Sequence, residues 1–254
     1  MVIIKLMEIF RVGNRTILYK DGDKIIKEYR GFIPSKLEKQ IIFNQSIKDS
    51  YNCILPTSVI NDKTVKYTMP YIAGLNLLEL LKTYDIDSKK KEVLIGDLTN
   101  ALNSIHKYLI VGDINIENIL LTGEAGYLLD FDFATLIGEK EEPICKFGIT
   151  NEKLYPLKET INTDKFKLYI EILCLLYHLN IEKYAIYDKC NSPFLVLENL
   201  FAKINHSDYV VSYLNHCKEN IENEKELDDF DIKKCDIEKE STLIRKKIAN
   251  ELKN

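Results

Sequence analysis

The segment Phe166–Leu179 constrains the fold more than any other part of this sequence. Apolar residues surround the whole predicted helix, and Glu171 is its only acidic residue. A helix that is apolar on every side must lie in the middle of a domain rather than on its surface. Thr163 or Asp164 is expected to cap its start, because short polar side chains satisfy the free backbone N–H groups there. The rest of the chain must therefore surround this helix, and 254 residues are enough to do so.

The beginning of the chain has the pattern of a β-sheet. Asp21-Gly22 separates the apolar stretches Thr16–Tyr19 and Lys24–Glu28. This predicts a hairpin, because glycine takes the positive φ that a tight turn demands. Residues 53–60 and 64–72 are rich in β-branched and aromatic side chains and predict two more strands.

A helix start is predicted between these two groups of strands. Ser35 follows a proline and has Glu38 three residues later, which is the spacing of a capping box. We predict an N-terminal unit of five strands and one helix over residues 1–73, four of the strands being those named above. Residues 74–254 are then a second, mainly helical unit.

A polar loop and a short hairpin follow an amphipathic helix predicted over residues 91–107. Asp113 and Asn118 lie in the loop, and Asp130 directly follows the second strand of the hairpin. Because a hairpin returns the chain, Asp130 is expected near Asn118. Two such oxygen ligands, with phosphate oxygens and water, suit Mg²⁺. A third carboxylate nearby can accept a hydroxyl proton during phosphoryl transfer.

At these residues the chain resembles the protein-kinase-like superfamily. The segment from Val111 to Asn118 resembles the H-R-D-x-x-x-x-N catalytic loop, and Asp130-Phe131-Asp132 resembles D-F-G. The resemblance covers roughly residues 10–180 and implies an α+β, two-lobed protein-kinase-like fold. Its small β-rich N-lobe would be residues 1–73. Its mainly helical C-lobe, residues 74–254, would hold the catalytic loop, the activation segment and a charged C-terminal helix.

The resemblance implies a role for each of these residues in phosphoryl transfer that depends on ATP and Mg²⁺. Asp113 would orient and deprotonate the acceptor hydroxyl. Asn118 and Asp130 would hold Mg²⁺ against the phosphates, and Lys27 would offset the phosphate charge. Asn115 would contact the acceptor or a phosphate, or else brace the loop.

Further residues are implied to bind the nucleotide. Glu38 is the candidate partner of Lys27 on the predicted helix, with Gln40 as the alternative. The carbonyl of Pro70 and the N–H of Ile72 would meet the adenine. The complete set implied for nucleotide binding is Lys27, Glu38, Met69, Pro70, Ile72, Gly13 and Leu120.

Several positions depart from the protein-kinase pattern. Val111 and Gly112 replace the histidine and arginine of the catalytic loop. Without that arginine, a phosphate on the activation loop lacks its partner beside the catalytic aspartate. We therefore expect activity that does not depend on phosphorylation of Thr150. No clean A-P-E motif is visible, and the segments ending at Glu152 and Glu159 both compete for that place.

The favoured function is a protein serine/threonine kinase, because the N-lobe pattern of residues 36–47 and the hinge resembles bacterial protein-kinase-like sequences. Gly112, Asn115 and Asp132 resemble small-molecule kinases of the aminoglycoside and choline type, which are the first alternative. The second alternative is a pseudokinase that acts as a binding module, favoured by Val111 and by a phosphate-covering loop with one glycine. Asp132 itself is interpreted as a structural turn residue in the left-handed region.

Composition narrows the partners and the compartment. A formal net charge of −4 gives no overall basic field, so nucleic acid is not expected as a partner. No apolar run approaches the roughly 20 residues of a membrane span. The six cysteines form no C-x-x-C pair, which fits a reducing cytoplasm. An apolar stripe along a predicted helix over residues 237–252 offers a contact for a partner protein.

Overall fold

The structure is a computed structural model that describes residues 8–13, 16–30, 44, 50–61, 64–83, 85–138, 158–181, 192–203 and 206–237. Four predictions lie outside these residues: the helix that contains Glu38 and Gln40, the phosphorylation position Thr150, the segment ending at Glu152, and almost all of the C-terminal helix over 237–252.

The N-terminal part of the chain forms one antiparallel sheet of five strands in the order β1-β2-β3-β5-β4. The predicted hairpin is confirmed: β2 and β3 pair throughout, and Gly22 has a φ of +64° at the turn between them. The strands are β1 (Glu8–Val12), β2 (Thr16–Asp21), β3 (Lys24–Tyr29), β4 (Ser58–Asn61) and β5 (Val65–Pro70).

The strand predicted over residues 53–60 is shorter than expected. Only its end joins the sheet as β4, because the residues before it attach to the helical part of the chain instead. Cys53 forms a parallel bridge with Leu128, and the N–H of Ile54 donates to the carbonyl of Leu128 at 2.9 Å. Leu55 is buried in the core of the helical part. Burial of these apolar side chains therefore ties the two parts of the chain together.

The helical part begins after β5 and contains short strands between its helices. A three-stranded sheet has the order β6-β8-β9, and β7 pairs with β10. The elements are β6 (Leu75–Asn76), α1 (Leu77–Leu80), α2 (Ser88–Ile105), β7 (Leu109–Ile110), β8 (Ile119–Leu121), β9 (Gly126–Leu128), β10 (Thr135–Leu136), α3 (Ile161–Tyr177), α4 (Pro193–Lys203), α5 (Asp208–Glu222) and a 3-10 turn (Ile232–Lys234).

Helix α3 lies at the centre of the helical part, as its apolar surface predicts, and nearly every residue from Thr163 to Tyr177 is buried. The prediction of its cap was wrong. Thr160 caps the helix: its backbone is extended and its side chain accepts a hydrogen bond from the N–H of Thr163 at 3.1 Å. Thr163 reciprocates from inside the first turn, so its hydroxyl is used there instead. Among the described helices, none is both long and apolar enough to cross a bilayer.

Candidate active site

Lys27 lies in the middle of β3, with only 5% of its surface exposed. Its Nζ donates to Oδ1 of Asp130 and to Oδ2 of Asp132, each at 2.8 Å. Burial lowers the pKa of this ammonium, but the two carboxylates outweigh burial and raise the pKa above its usual value. Lys27 is therefore a charged amine that the sheet holds against the loop following β9.

Asp130 follows the β8–β9 hairpin after one intervening residue, Leu129. The backbone of Asp130 is in the left-handed region, with a φ of +58°. The sequence analysis assigned that conformation to Asp132 instead. An aspartate tolerates this region because its short side chain bonds locally. Its side chain is 36% exposed. Burial raises its pKa, but the charge and hydrogen bond of Lys27 prevail and the pKa is lowered. Asp130 is thus an ionised carboxylate with an open side.

Asp132 is enclosed, with its side chain 7% exposed. Besides Lys27, it accepts a hydrogen bond from the hydroxyl of Tyr67 at 2.6 Å and a short one from the hydroxyl of Tyr29. Burial and the charge of Asp130 raise the pKa of Asp132 to about 6, against the opposing effect of Lys27. The sequence analysis missed both tyrosines. Alternation along the predicted strand could have found Tyr29, which is two residues after Lys27, whereas Tyr67 lies opposite Lys27 only through the register of β3 and β5.

Asp113 is held by two amide side chains of its own loop. Nδ2 of Asn115 donates to Oδ1 of Asp113 at 3.0 Å. Nδ2 of Asn118 donates to its carbonyl at 2.9 Å and to Oδ2 at 3.2 Å. Oδ1 of Asn115 in turn accepts from the N–H of Glu117 at 2.9 Å. Asn115 therefore links Asp113 to the backbone of its own loop, and contact of Asn115 with an acceptor or a phosphate stays a prediction.

The hairpin brings Asp113, Asn118 and Asp130 together. The N–H of Leu129 donates to the carbonyl of Asn118 at 2.9 Å, which places Asp130 beside Asn118. Burial raises the pKa of Asp113, and the negative charge of Asp130 raises it further against the hydrogen bonds from the two asparagines. A carboxylate with a raised pKa accepts a proton more readily, as a general base requires.

The start of α3 fixes the backbone that leads into Asp113. Asp164 is fully buried and accepts hydrogen bonds from the N–H of Val111 at 2.6 Å and of Gly112 at 3.0 Å. His106 packs beside it, with Nε2 at 3.1 Å from Oδ2 of Asp164. His106 thus contacts the carboxylate that holds the backbone of the loop.

Gly112 occupies a position where an added side chain would be strained. Its φ is +78°, and a Cβ there would collide with the side chain of Glu159 and lie 3.1 Å from the carbonyl of Phe133. Glu159 is buried and accepts from the hydroxyl of Thr135 at 2.9 Å. The buried Lys167 donates a short hydrogen bond to the carbonyl of Gly112. The loop is therefore ordered by buried contacts from α3 and from the segment before it.

The residues expected at the hinge lie at the end of β5. Pro70 is exposed, whereas Met69 and Ile72 are half-buried. Leu120 lies on β8 close to Gly74, which follows this segment. A Cβ added at Gly74 would lie 3.3 Å from the Leu120 side chain. The N–H of Gly13 donates to the carbonyl of Thr16 at 2.8 Å and closes a turn between β1 and β2. The contact of these residues with a nucleotide stays a prediction.

Sequence comparison finds a viral kinase. No protein-family model matches the chain. A stretch of 125 residues is 29% identical to serine/threonine-protein kinase 1 of Heliothis zea nuclear polyhedrosis virus, covering 48% of this chain and 45% of that protein. The chain thus matches less than half the length of this curated relative.

The structure of the Cydia pomonella granulovirus kinase, PK-1, is similar over 92% of this chain and 94% of the other, with a TM-score of 0.65 and 16% identity. The chain has a protein-kinase-like fold. The sequence likeness and the structural likeness together support a place in the protein-kinase-like superfamily. Both relatives are viral proteins, whereas the sequence resemblance pointed to bacterial ones.

In this kinase-like fold the five-stranded sheet is the small lobe and the helical part is the large lobe. Lys27 belongs to the small lobe, while Asp113, Asn118 and Asp130 belong to the large lobe. The division at residues 73 and 74 stays a prediction.

The donor set fits Mg²⁺. Asn118 turns its amide nitrogen to Asp113, which leaves its oxygen for a metal, and Asp130 adds an exposed carboxylate oxygen. Among the described residues, no group of three or more His, Cys, Asp and Glu side chains forms a cation cage. Mg²⁺ is commonly held by one or two protein oxygens, with substrate phosphates and water completing its octahedron. Two oxygen donors are therefore sufficient as the protein's share.

Proposed function

We propose that the protein is an ATP- and Mg²⁺-dependent phosphotransferase that acts on serine or threonine hydroxyls of proteins. The observation that carries the proposal is the meeting of the Lys27 ammonium with Asp130, beside Asn118 and Asp113, across the two lobes. The name of the viral relative, a serine/threonine-protein kinase, supports the choice of acceptor.

Asp113 supplies the proton acceptor. It orients the hydroxyl of the acceptor and takes its proton as the oxygen attacks the terminal phosphoryl group. Its raised pKa suits it to this task, and Asn115 and Asn118 keep the carboxylate in one orientation. Because phosphoryl transfer needs little covalent help, this positioning is a large part of the catalysis.

Lys27 and Asp130 supply the charge that the phosphates require. Lys27 uses two of its three N–H donors on Asp130 and Asp132, so the third is available for a phosphate oxygen. Asn118 and Asp130 would hold Mg²⁺, which neutralises the charge that develops on the phosphate oxygens when it is bound. The cation of Lys27 and the metal would then act on the same triphosphate.

Activity without phosphorylation of the activation loop is part of the proposal. Val111 and Gly112 carry no charge that could bind a phosphate. Asp164 holds their N–H groups, and Lys167 holds the carbonyl of Gly112, from inside the large lobe. The order of the catalytic loop therefore comes from buried contacts that are already in place.

A small-molecule kinase is the second candidate. Gly112 directly before Asp113, and Asp132 in the place of the D-F-G glycine, are the observations that favour it, because small-molecule kinases often carry G-D and an acidic residue at these places. In either case the reducing cytoplasm is the proposed compartment, which four free cysteines of the described residues support: Cys53, Cys174, Cys217 and Cys235.

Transfer of radiolabelled γ-phosphate from ATP tests the function. The pure protein is incubated with Mg²⁺ and either generic protein acceptors or a panel of aminoglycosides and choline, and Asp113→Asn is the matched control. Label on serine or threonine of protein, lost in Asp113→Asn, supports the proposal. Label on a small molecule favours the second candidate. No transfer from the wild-type protein to any acceptor contradicts both.

A further inference from the structure

We propose that Asp132 is the positioning residue that holds Lys27 in its phosphate-binding place. The carboxylate that pairs with the lysine thus comes from the large-lobe loop that also carries the metal-binding Asp130. This inference deepens the proposed function, since it concerns how that same site is assembled.

The first argument is the difference between the two carboxylates beside Lys27. Both accept a hydrogen bond of 2.8 Å from its Nζ. The side chain of Asp130 is 36% exposed, whereas that of Asp132 is 7% exposed. Asp130, with its exposed oxygen, would be the residue that holds Mg²⁺ beside a nucleotide. Asp132 is enclosed and stays with the lysine.

The second argument is that the oxygens of Asp132 are already engaged. Oδ1 accepts from the hydroxyl of Tyr67 at 2.6 Å, and Oδ2 accepts from Lys27 and from the hydroxyl of Tyr29. Three donors around a buried carboxylate fix its direction as well as its charge. These hydrogen bonds engage both oxygens of Asp132, so its positioning role does not require a metal ion at this carboxylate.

The third argument is the register of the sheet. Lys27 and Tyr29 are two residues apart on β3 and therefore face the same side. Tyr67 is the direct partner of Lys27 on β5 and shares that side too. Three side chains of the small lobe thus converge on Asp132 of the large lobe. This contact sets the position of the lysine relative to Asp130.

The physical consequence concerns a buried cation. Lys27 is 5% exposed, and a buried ammonium without a partner carries a large desolvation cost. Asp132 offsets that cost whether or not Asp130 is occupied by metal. The pair of Lys27 and Asp132 therefore keeps the ammonium charged and directed at the phosphates during the whole reaction. Asp132, the partner needed for this, belongs to the described residues.

The test uses Asp132→Asn, which keeps the shape of the side chain and removes its charge. The matched control is Asp97→Asn, whose carboxylate also accepts hydrogen bonds, from Tyr51 at 2.6 Å and Gly126 at 3.2 Å, but lies on α2 away from the site. The first readout is the rate at which an amine-reactive reagent modifies Lys27 in the absence of nucleotide, measured by peptide mass spectrometry.

Lys27 is expected to be protected in the wild-type protein and in Asp97→Asn, and to react several-fold faster in Asp132→Asn. The second readout is steady-state kinetics with ATP. Asp132→Asn is expected to lower kcat between about 10-fold and about 100-fold, since a misplaced group costs this much. The increase in KM for ATP is expected to be smaller. Tyr67→Phe, which retains the charge of Asp132, should lower kcat less.

Unchanged labelling of Lys27 in Asp132→Asn overturns the proposal, as does a kcat equal to that of the wild-type protein. The labelling result does not need an active enzyme. An inactive wild-type protein with a protected Lys27 would therefore refute the proposed function and leave the positioning role supported.

Discussion

The buried carboxylate of Asp164 accepts a hydrogen bond of 3.0 Å from the backbone N–H of Gly112. The two residues are far apart in sequence, and the bond joins the first turn of the central helix to the residue before Asp113. The negative charge also lies at the positive end of α3, where the helix dipole favours it. The buried helix α3 thus fixes the backbone of the loop that contains Asp113.

Asp164→Asn should weaken both the fold and the activity. The asparagine amide keeps one oxygen acceptor, but its nitrogen replaces the other oxygen and faces a backbone N–H donor. The charge-assisted hydrogen bonds from Val111 and Gly112 are therefore lost. We expect the free energy of unfolding to fall by about 3 kcal/mol, and kcat to fall with it. The measurement is urea unfolding together with phosphate transfer. The control is Asp208→Asn in the exposed first turn of α5, where the loss should stay below about 1 kcal/mol. Equal losses in the two variants would refute this role for Asp164.

Gly112→Ala should be strongly damaging although it adds a single methyl group. The backbone has a φ of +78°, which costs an L-residue about 1–2 kcal/mol, and the Cβ collides with Glu159. Thermal unfolding and kcat are both expected to decrease. The matched control is Gly96→Ala in helix α2, where no atom lies within 4 Å of the added Cβ. Alanine should there stabilise the helix by about 1 kcal/mol. A Gly112→Ala protein as stable and active as the wild type would show that this backbone is not required.

The lowered pKa of the buried Lys91 predicts that the stability of the fold depends on pH. Lys91 is 1% exposed, donates to the carbonyl of Leu176 at 2.8 Å and pairs with Asp85 at 3.0 Å. Burial lowers its pKa from 10.5 to about 8. Between these values the unfolded chain binds the proton more tightly than the folded protein, so this group makes stability rise with pH from about 8 to 10.5. The full change is about 3 kcal/mol.

The measurement is urea unfolding of the wild-type protein and of Lys91→Met at several pH values in this window. As pH rises, the free energy of unfolding of the wild-type protein should increase relative to that of Lys91→Met. A difference between the two proteins that stays constant from pH 8 to pH 10 would contradict a lowered pKa for Lys91.

Thr150→Ala should leave phosphate transfer close to the wild-type rate. Thr150 lies outside the described residues, and the expectation comes from the loop beside Asp113. There, Gly112 stands where an arginine would bind the phosphate, and buried contacts order the backbone. The rate of transfer is measured before and after treatment with an upstream kinase or a phosphatase. A large gain in rate on phosphorylation of Thr150 would contradict this account.

The sequence alone predicts the parts of the site that local spacing controls. Asp113 and Asn118 lie in one loop, and a hairpin recognisable from its turn residues returns the chain to Asp130. The Asp-Gly turn likewise predicts the hairpin that carries Lys27, whereas the role of Lys27 was implied by the resemblance to the kinase family. The structure places Asp130 beside Asn118 as the returning hairpin predicts. The contact between Lys27 and Asp130 joins residues far apart in the sequence, and local spacing does not predict it.

Local sequence patterns do not predict contacts between residues far apart in the chain. The two tyrosines around Asp132 come from different strands, and the position of Tyr67 depends on the register of β3 against β5, which the sequence does not reveal. The cap of α3 is Thr160 rather than Thr163 or Asp164, because all three side chains suit a cap and only the packed helix selects one. The role of Gly112 depends on Glu159, which reaches it only in the folded protein.

Titration of the protein with ATP in a calorimeter, with and without Mg²⁺, tests the central claim most directly. The wild-type protein should bind ATP with Mg²⁺, and ATP at 100 times its Kd should raise the free energy of unfolding by about 2.7 kcal/mol. Asp130→Asn should lose the part of this affinity that depends on Mg²⁺, while Asp97→Asn should keep it. A wild-type protein that binds no ATP, or an Asp130→Asn variant that binds Mg²⁺ and ATP as the wild type does, would contradict the account.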